Sequence, residues 1–211
     1  AARRAEEAVD SCRKKGDKVG EAAALVDLGH ARLALAGQAG AASPLAEARA
    51  QAGLAAAKLQ QGHPAQALDA ALAARRLASQ AGQADGGAAG AEACNLVVEA
   101  YAAAGKHKDA AKVAKETLKA AQRAGDATGA GPVAVADAER RLIQVLLQGG
   151  DEEGALHAAK KACSRLRKAG DAPGQAAMLR LAAEVHLRAG RAELALHAAD
   201  EALALLRARP G

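Results

Sequence analysis

The side chains able to do chemistry are few. The 211 residues hold six histidines, three cysteines and four serines. His157 and His197 sit in identical Ala-Leu-His-Ala-Ala contexts, so they recur because a longer pattern recurs. His63 and His107 follow glycines and read as turn residues, whereas His30 and His186 fall within helical stretches. No HxxxH or HExxH spacing sets two imidazoles on one helix face, which argues for packed or solvated histidines over metal ligands. Cys12, Cys94 and Cys163 are an odd set without CxxC spacing, the pattern of reduced, mostly buried thiols in a reducing, cytoplasmic compartment. None of Ser11, Ser43, Ser79 and Ser164 lies in a GxSxG elbow. Gly125–Gly131, GDATGAG, lacks the preceding strand and following Lys-Ser/Thr of a phosphate loop and reads as a linker. The sequence therefore points to no enzyme and to no metal or other cofactor.

Recurrent charge is the chemistry that remains. Arg140 and Arg180 stand at one repeat position in successive units, with Arg141 and Arg188 nearby. A guanidinium donates two parallel hydrogen bonds to a carboxylate or phosphate, so arginines stacked in a ladder select such groups. The elements that position them are set by a repeat.

Alanine supplies 66 of the 211 residues, while Leu, Ile, Val and Phe together supply 36, and Tyr101 is the only aromatic. With a net charge of only +5, that composition describes thin, closely packed helices rather than a disordered chain. No window of roughly 18 uninterrupted apolar residues exists, which excludes a membrane-spanning helix. Gly-Asp pairs at 16–17, 125–126 and 170–171 each open a stretch that ends at a later glycine, and a second helical stretch follows. The mid-unit glycines Gly62, Gly105, Gly150 and Gly190 recur at nearly even steps of forty to forty-five positions. This spacing predicts a helix–turn–helix array. The glycines supply left-handed helix ends, Asp126, Asp151 and Asp171 stand where an N-cap or first-turn carboxylate is expected, and Pro64, Pro132 and Pro173 fall near helix starts. Five, nine and twelve residues after each mid-unit glycine, eleven of the twelve positions are alanine, the exception being Thr117. Small residues at that spacing let a second helix lie close against its neighbour. One such unit cannot bury its stripe alone, so units must stack into a solenoid. Ala155 and Ala195 are expected buried against the preceding first helix.

The glycine-to-alanine pattern resembles tetratricopeptide repeats (TPR). Four residues before the mid-unit glycine, where that family usually carries tyrosine, stand Lys58, Tyr101, Leu146 and His186. The Gly-Asp-x-x-Gly extension, as in Gly16-Asp17-Lys18-Val19-Gly20 and Gly170-Asp171-Ala172-Pro173-Gly174, lengthens the unit beyond the usual period of that family. In this it is similar to the repeats of G-protein-signalling-modulator scaffolds and kinesin light chains. The resemblance implies an all-α, right-handed superhelix of about ten antiparallel helices. A HEAT- or armadillo-type array has a similar period but lacks the glycine-to-alanine spacing. The whole chain reads as one array, with units near 1–37, 38–82, 83–125, 126–170 and 171–211. Its opening in mid-helix reads as a segment of a longer chain. Residues 20–36 and 44–61 both carry the first-helix pattern, so either 38–43 cross over or one of the two assignments is wrong.

The resemblance further implies a protein–protein interaction scaffold whose first helices line a concave groove. Residues ten, six and two before the mid-unit glycine share one helix face. Asn95 and Glu99, Arg140 and Gln144, and Arg180, Glu184 and Arg188 are therefore candidate peptide contacts, with Tyr101 and Arg141 beside them. The expected partner is a protein, with an acidic or C-terminal carboxylate-bearing peptide suited to the arginines. Glu99 and Glu184 are placed to pair with those arginines. A spacer or assembly segment of a larger complex is the alternative function. RNA binding is disfavoured because aromatic stacking platforms are missing and the positive excess is small.

Overall fold

The computed structural model describes residues 2–38, 44–82, 87–128 and 131–208. Within them the chain forms ten helices and no strand: α1 (Ala2–Lys15), α2 (Lys18–Gln38), α3 (Pro44–Gln60), α4 (Pro64–Gln80), α5 (Ala88–Ala103), α6 (His107–Thr128), α7 (Gly131–Gln148), α8 (Glu152–Lys168), α9 (Ala172–Arg188) and α10 (Ala192–Arg207). The all-α helix–turn–helix expectation is borne out. The helices fall into two compact units, residues 1–120 and 121–211.

The punctuation works as local chemistry requires. Gly150 and Gly170 end α7 and α8 at φ +74° and +71°, a conformation that costs an L side chain but not glycine. Asp151 and Asp171 then cap α8 and α9, each carboxylate accepting the backbone N–H of the residue three on, at 2.9 Å. Asp17 caps α2 in the same way through Gly20. In all three, the capping carboxylate occupies the space a Cβ at that glycine would fill. The Gly-Asp-x-x-Gly signature is thus one device, a left-handed stop followed by a cap that needs a bare neighbour three positions on. Asp126 departs from the expectation: α6 runs through Gly125–Asp126 to Thr128, so the aspartate lies inside a helix rather than at a cap. Gly125 lies within α6 as well. A glycine that stays helical ends nothing.

In the first unit each of α1 to α4 packs on the next, and α3 also packs on α5. Contact between alternate helices marks α3 and α5 as first helices, with α4 between them. This corrects the assignment of residues 20–36: α2 occupies a second-helix place, paired with α1, and packs against α3. Its approach is close because Gly29 lies against Leu54, where an added Cβ would sit 3.4 Å from the leucine Cβ. The α3–α4 hairpin buries alanine alone, among them Ala55, Ala57, Ala67, Ala71 and Ala74 at 0% exposure. Arg75 on α4 pairs with Glu116 on α6 at 3.6 Å.

In the second unit α7, α8, α9 and α10 pack in sequence and α7 also packs on α9. Larger residues fill this core, with Ile143, Leu166, Leu181 and Val185 fully buried. Eleven of the twelve positions in the glycine-to-alanine rule are buried across the two units, and the twelfth, Ala199, is half-buried. Ala195 packs on Ala183 of α9, the preceding first helix.

Candidate functional site

In the second unit the first helices α7 and α9 lie side by side, and their positions correspond turn by turn. Arg140, Gln144 and Gln148 on α7 are exposed, as are Arg180 and Arg188 on α9, with Glu184 half-buried. The i, i+4, i+8 spacing therefore delivers one solvated polar strip per helix, the two strips on adjacent helices. Arg141 is half-buried beside the α7 strip. Asn95 and Tyr101 (half-buried) and Glu99 (exposed) belong to α5 in the other compact unit. The residues brought together on packed helices are thus those of α7 and α9.

Charge pairing on this surface is local. Arg140 is bonded to Asp137 one turn earlier, a partner not anticipated from the sequence. Glu184 pairs with Arg188 at 3.4 Å. Arg180 makes no ion pair among the described residues. Exposed pairs of this kind contribute about 0.3–0.5 kcal/mol each and exchange readily for a better partner.

Sequence reasoning missed a stronger pair. Arg165 on α8 donates from Nε and Nη2 to both carboxylate oxygens of Glu139 on α7, at 3.0 and 2.7 Å. The Glu139 side chain is 6% exposed and that of Arg165 31%. This hydrogen bond raises the Arg165 pKa further above its ordinary value. A signal was present in the repeat columns. Eleven before the mid-unit glycine stand Gln51, Cys94, Glu139 and Leu179, and fifteen after it stand Leu77, Ala120, Arg165 and Leu205. The pair therefore occupies two positions that hold leucine in the α9–α10 copy.

On another side of the same unit, α8, α9 and α10 enclose a groove of about 380 Å³ lined by Leu156, Cys163, Leu179, Ala182, His186 and Leu194, among others. Burial, with the carboxylates of Glu201 and Glu139 adding to it, pushes the Cys163 thiol up to about 11. A thiol so held is protonated at neutral pH and a poor nucleophile. Burial also holds the His186 imidazole below its ordinary pKa, with Arg191 and Lys160 pushing the same way, and its Nδ1 is buried without a partner. The unfolded chain then binds that proton more readily than the folded one. Stability is full above about pH 6.5, falls as pH drops through that value, and stops falling below the depressed folded pKa. The equivalent residue of α7 is the buried Leu146. His186→Leu is accordingly expected to flatten the loss of stability between about pH 7 and pH 5, read as urea midpoints across that range. An unchanged pH profile would remove His186 from the account. Among the described residues no group of three His, Cys, Asp or Glu side chains comes together to hold a metal. Nor is any helix, over those residues, long and apolar enough to cross a membrane.

Paired helices with alternate first helices in contact, left-handed glycine stops and alanine-lined second helices define a TPR-like repeat protein. Solved structures agree on the fold. The chain is similar to a Podosopora anserina kinesin-light-chain protein with nearly identical TPR-like repeats, at TM-score 0.75 and 14% identity over 97% of this chain and 94% of that one. It is similar to BtubC (BKLC) from P. vanneervenii at TM-score 0.67 and 16% identity, over 100% and 92% of the two chains. MamA follows at TM-score 0.51 and 20% identity, over 94% of each. No protein-family model matches the sequence, and no curated protein matches it.

Proposed function

We propose that the chain is a protein–protein interaction scaffold that holds an acidic peptide segment of a partner across α7 and α9. The supporting observation is the placement of Arg140 and Arg180 at one repeat position on two packed first helices, both exposed. Helices in contact lie roughly 8–10 Å apart, so successive guanidinium groups can grip carboxylates a few residues apart on an extended peptide, or a C-terminal carboxylate. Gln144 and Gln148 offer amides to the peptide backbone between them. Arg140 exchanges its weak Asp137 contact for the ligand, and Arg188 does the same from Glu184. The TPR-like fold of the chain and of its structural neighbours favours this class of role over catalysis.

The test is fluorescence anisotropy with labelled acidic, neutral and basic peptides at about 150 mM salt. Saturable binding of the acidic set is expected, weakening as salt rises. Arg140→Glu with Arg180→Glu is expected to lose it by at least about a hundredfold, since each reversal replaces attraction by repulsion. Far-UV circular dichroism should stay unchanged, because both side chains are exposed. Equal binding of acidic and basic peptides, or undiminished binding by the double variant, contradicts the proposal.

A further inference from the structure

Second helices hold equivalent places in the repeat, so their outward columns can be compared residue by residue. On α6 the residues three, seven, ten, fourteen and eighteen past Gly105 are Lys108, Lys112, Lys115, Lys119 and Arg123. By the helical repeat these five fall within a wedge of about 80°, and all are exposed. The buried side of the helix, Ala110, Val113, Ala114 and Thr117, lies opposite. Among the described residues none of the five cations makes an ion pair. The acids beside the column are Asp109 and Glu116, the latter engaged by Arg75 at 3.6 Å. Among the described residues five helices precede α6 and four follow it, so the column is not a terminal face.

A solvated face needs polar groups, not one sign of charge, and the other second helices show this. The same five columns carry Asp69 and Arg76 as their charged residues on α4, and Glu153, Lys160 and Lys168 on α8. On α10 they carry Glu193 and Asp200. Those faces are balanced, weakly basic and acidic in turn. The unbroken cationic column belongs to α6 alone of the four.

We propose that this column docks the chain on the anionic headgroups of a lipid bilayer, without insertion. Clusters of about four to eight basic residues on an amphipathic helix suit such a surface. Geometry favours a plane of charge: the column is straight and about 22 Å long, so all five side chains meet one plane together. The phosphates of a nucleic-acid duplex wind through more than half a turn in that length, at about 34–36 Å per turn. Single strands need aromatic platforms, and Tyr101, the one aromatic, is half-buried on α5. Four of the five cations are lysine, the residue that protein interfaces deplete while enriching arginine. Its mobile point charge suits fluid headgroups better than a fixed bidentate partner. A protein that grips the apolar side of a basic helix finds that side already buried. Among the described residues α6 exposes no large apolar side chain, so the contact is electrostatic and nothing anchors below the headgroups.

Co-sedimentation of the whole chain with phosphatidylcholine vesicles, with and without about 30% phosphatidylserine, at about 100 mM salt tests this. Binding to the anionic vesicles alone is expected, with release at about 0.5 M salt. Each basic residue near such a surface contributes about fivefold, so Lys112→Gln, Lys115→Gln and Lys119→Gln together should weaken binding about a hundredfold. Helicity should be unchanged, since all three side chains are exposed. Arginine at the same three positions should bind within about threefold of wild type. Arg4→Gln, Lys14→Gln and Lys15→Gln remove equal charge from exposed positions of α1 and should also stay within about threefold. No binding to the anionic vesicles, equal binding to both vesicle types, a hundredfold loss in the arginine variant, or equal losses in the α6 and α1 glutamine variants overturns the proposal. So does tighter binding to a short DNA duplex, per phosphate, than to the vesicles, per anionic lipid.

Discussion

Replacing Arg165 by leucine is expected to destabilise the protein by about 3 kcal/mol, several times the cost of replacing its partner Glu139 by leucine. The asymmetry follows from where the two ends of the pair sit. The Glu139 carboxylate is 6% exposed and receives both guanidinium hydrogen bonds, so losing Arg165 strands a buried charge. Arg165 is 31% exposed and can swing its head into water when Glu139 is gone, while the substituted leucine fills the pocket. The α9–α10 copy carries Leu179 and Leu205 at these two positions. The double replacement is therefore expected within about 1 kcal/mol of wild type, because a well-packed apolar pair commonly matches a buried ion pair. Urea midpoints of the two single variants and the double variant measure the cycle. Equal costs for the two single variants, or a double variant no better than Arg165→Leu, would show that burial of the carboxylate is not what sets the energy.

The alanine seam carries the second large effect. Ala155 is 0% exposed and Ala195 3%, at equivalent places on α8 and α10, the latter against Ala183. Each marks a contact where two helix backbones approach because no side chain beyond a methyl intervenes. Leucine at either position forces the helices apart or into off-rotamer packing, at about 1–3 kcal/mol. Ala204 on the same helix α10 is exposed, and leucine there should change stability by no more than about 0.5 kcal/mol. Thermal midpoints that fall for Ala155→Leu and Ala195→Leu but not for Ala204→Leu match this account. Indifference at both seam positions would mean that the seam has room to spare.

Much of this architecture could be read from the residues because the repeat states it several times over. The nearly even steps between Gly62, Gly105, Gly150 and Gly190 marked helix ends, and the alanines counted from them marked the buried side of each second helix. What escaped was set by contacts between helices. Nothing local tells α2 that it sits in a second-helix place, since that depends on which of its neighbours α3 chooses, and α3 packs on both α4 and α5. Asp126 looked like Asp151 and Asp171, but a capping aspartate needs the glycine before it to leave the helix, and Gly125 does not. The Arg165–Glu139 pair was hidden because each residue alone reads as surface charge. Only the columns that align them with Leu205 and Leu179 mark the positions as core. The polar strips of α7 and α9 were legible as faces, since i, i+4, i+8 spacing alone determines them. Their local partners were not, and Asp137 was overlooked although it lies one turn from Arg140.

The claim that α7 and α9 form the peptide-binding surface is tested most directly by amide hydrogen exchange with and without a bound acidic peptide. Binding across the two strips orders the helices that carry them, so added protection should concentrate in residues 138–148 and 178–188. In Arg140→Glu with Arg180→Glu that protection should vanish at the same peptide concentration. Protection that instead maps to α8 and α10, around the groove of Leu156, His186 and Leu194, would contradict the assignment and move the binding surface to the opposite helices.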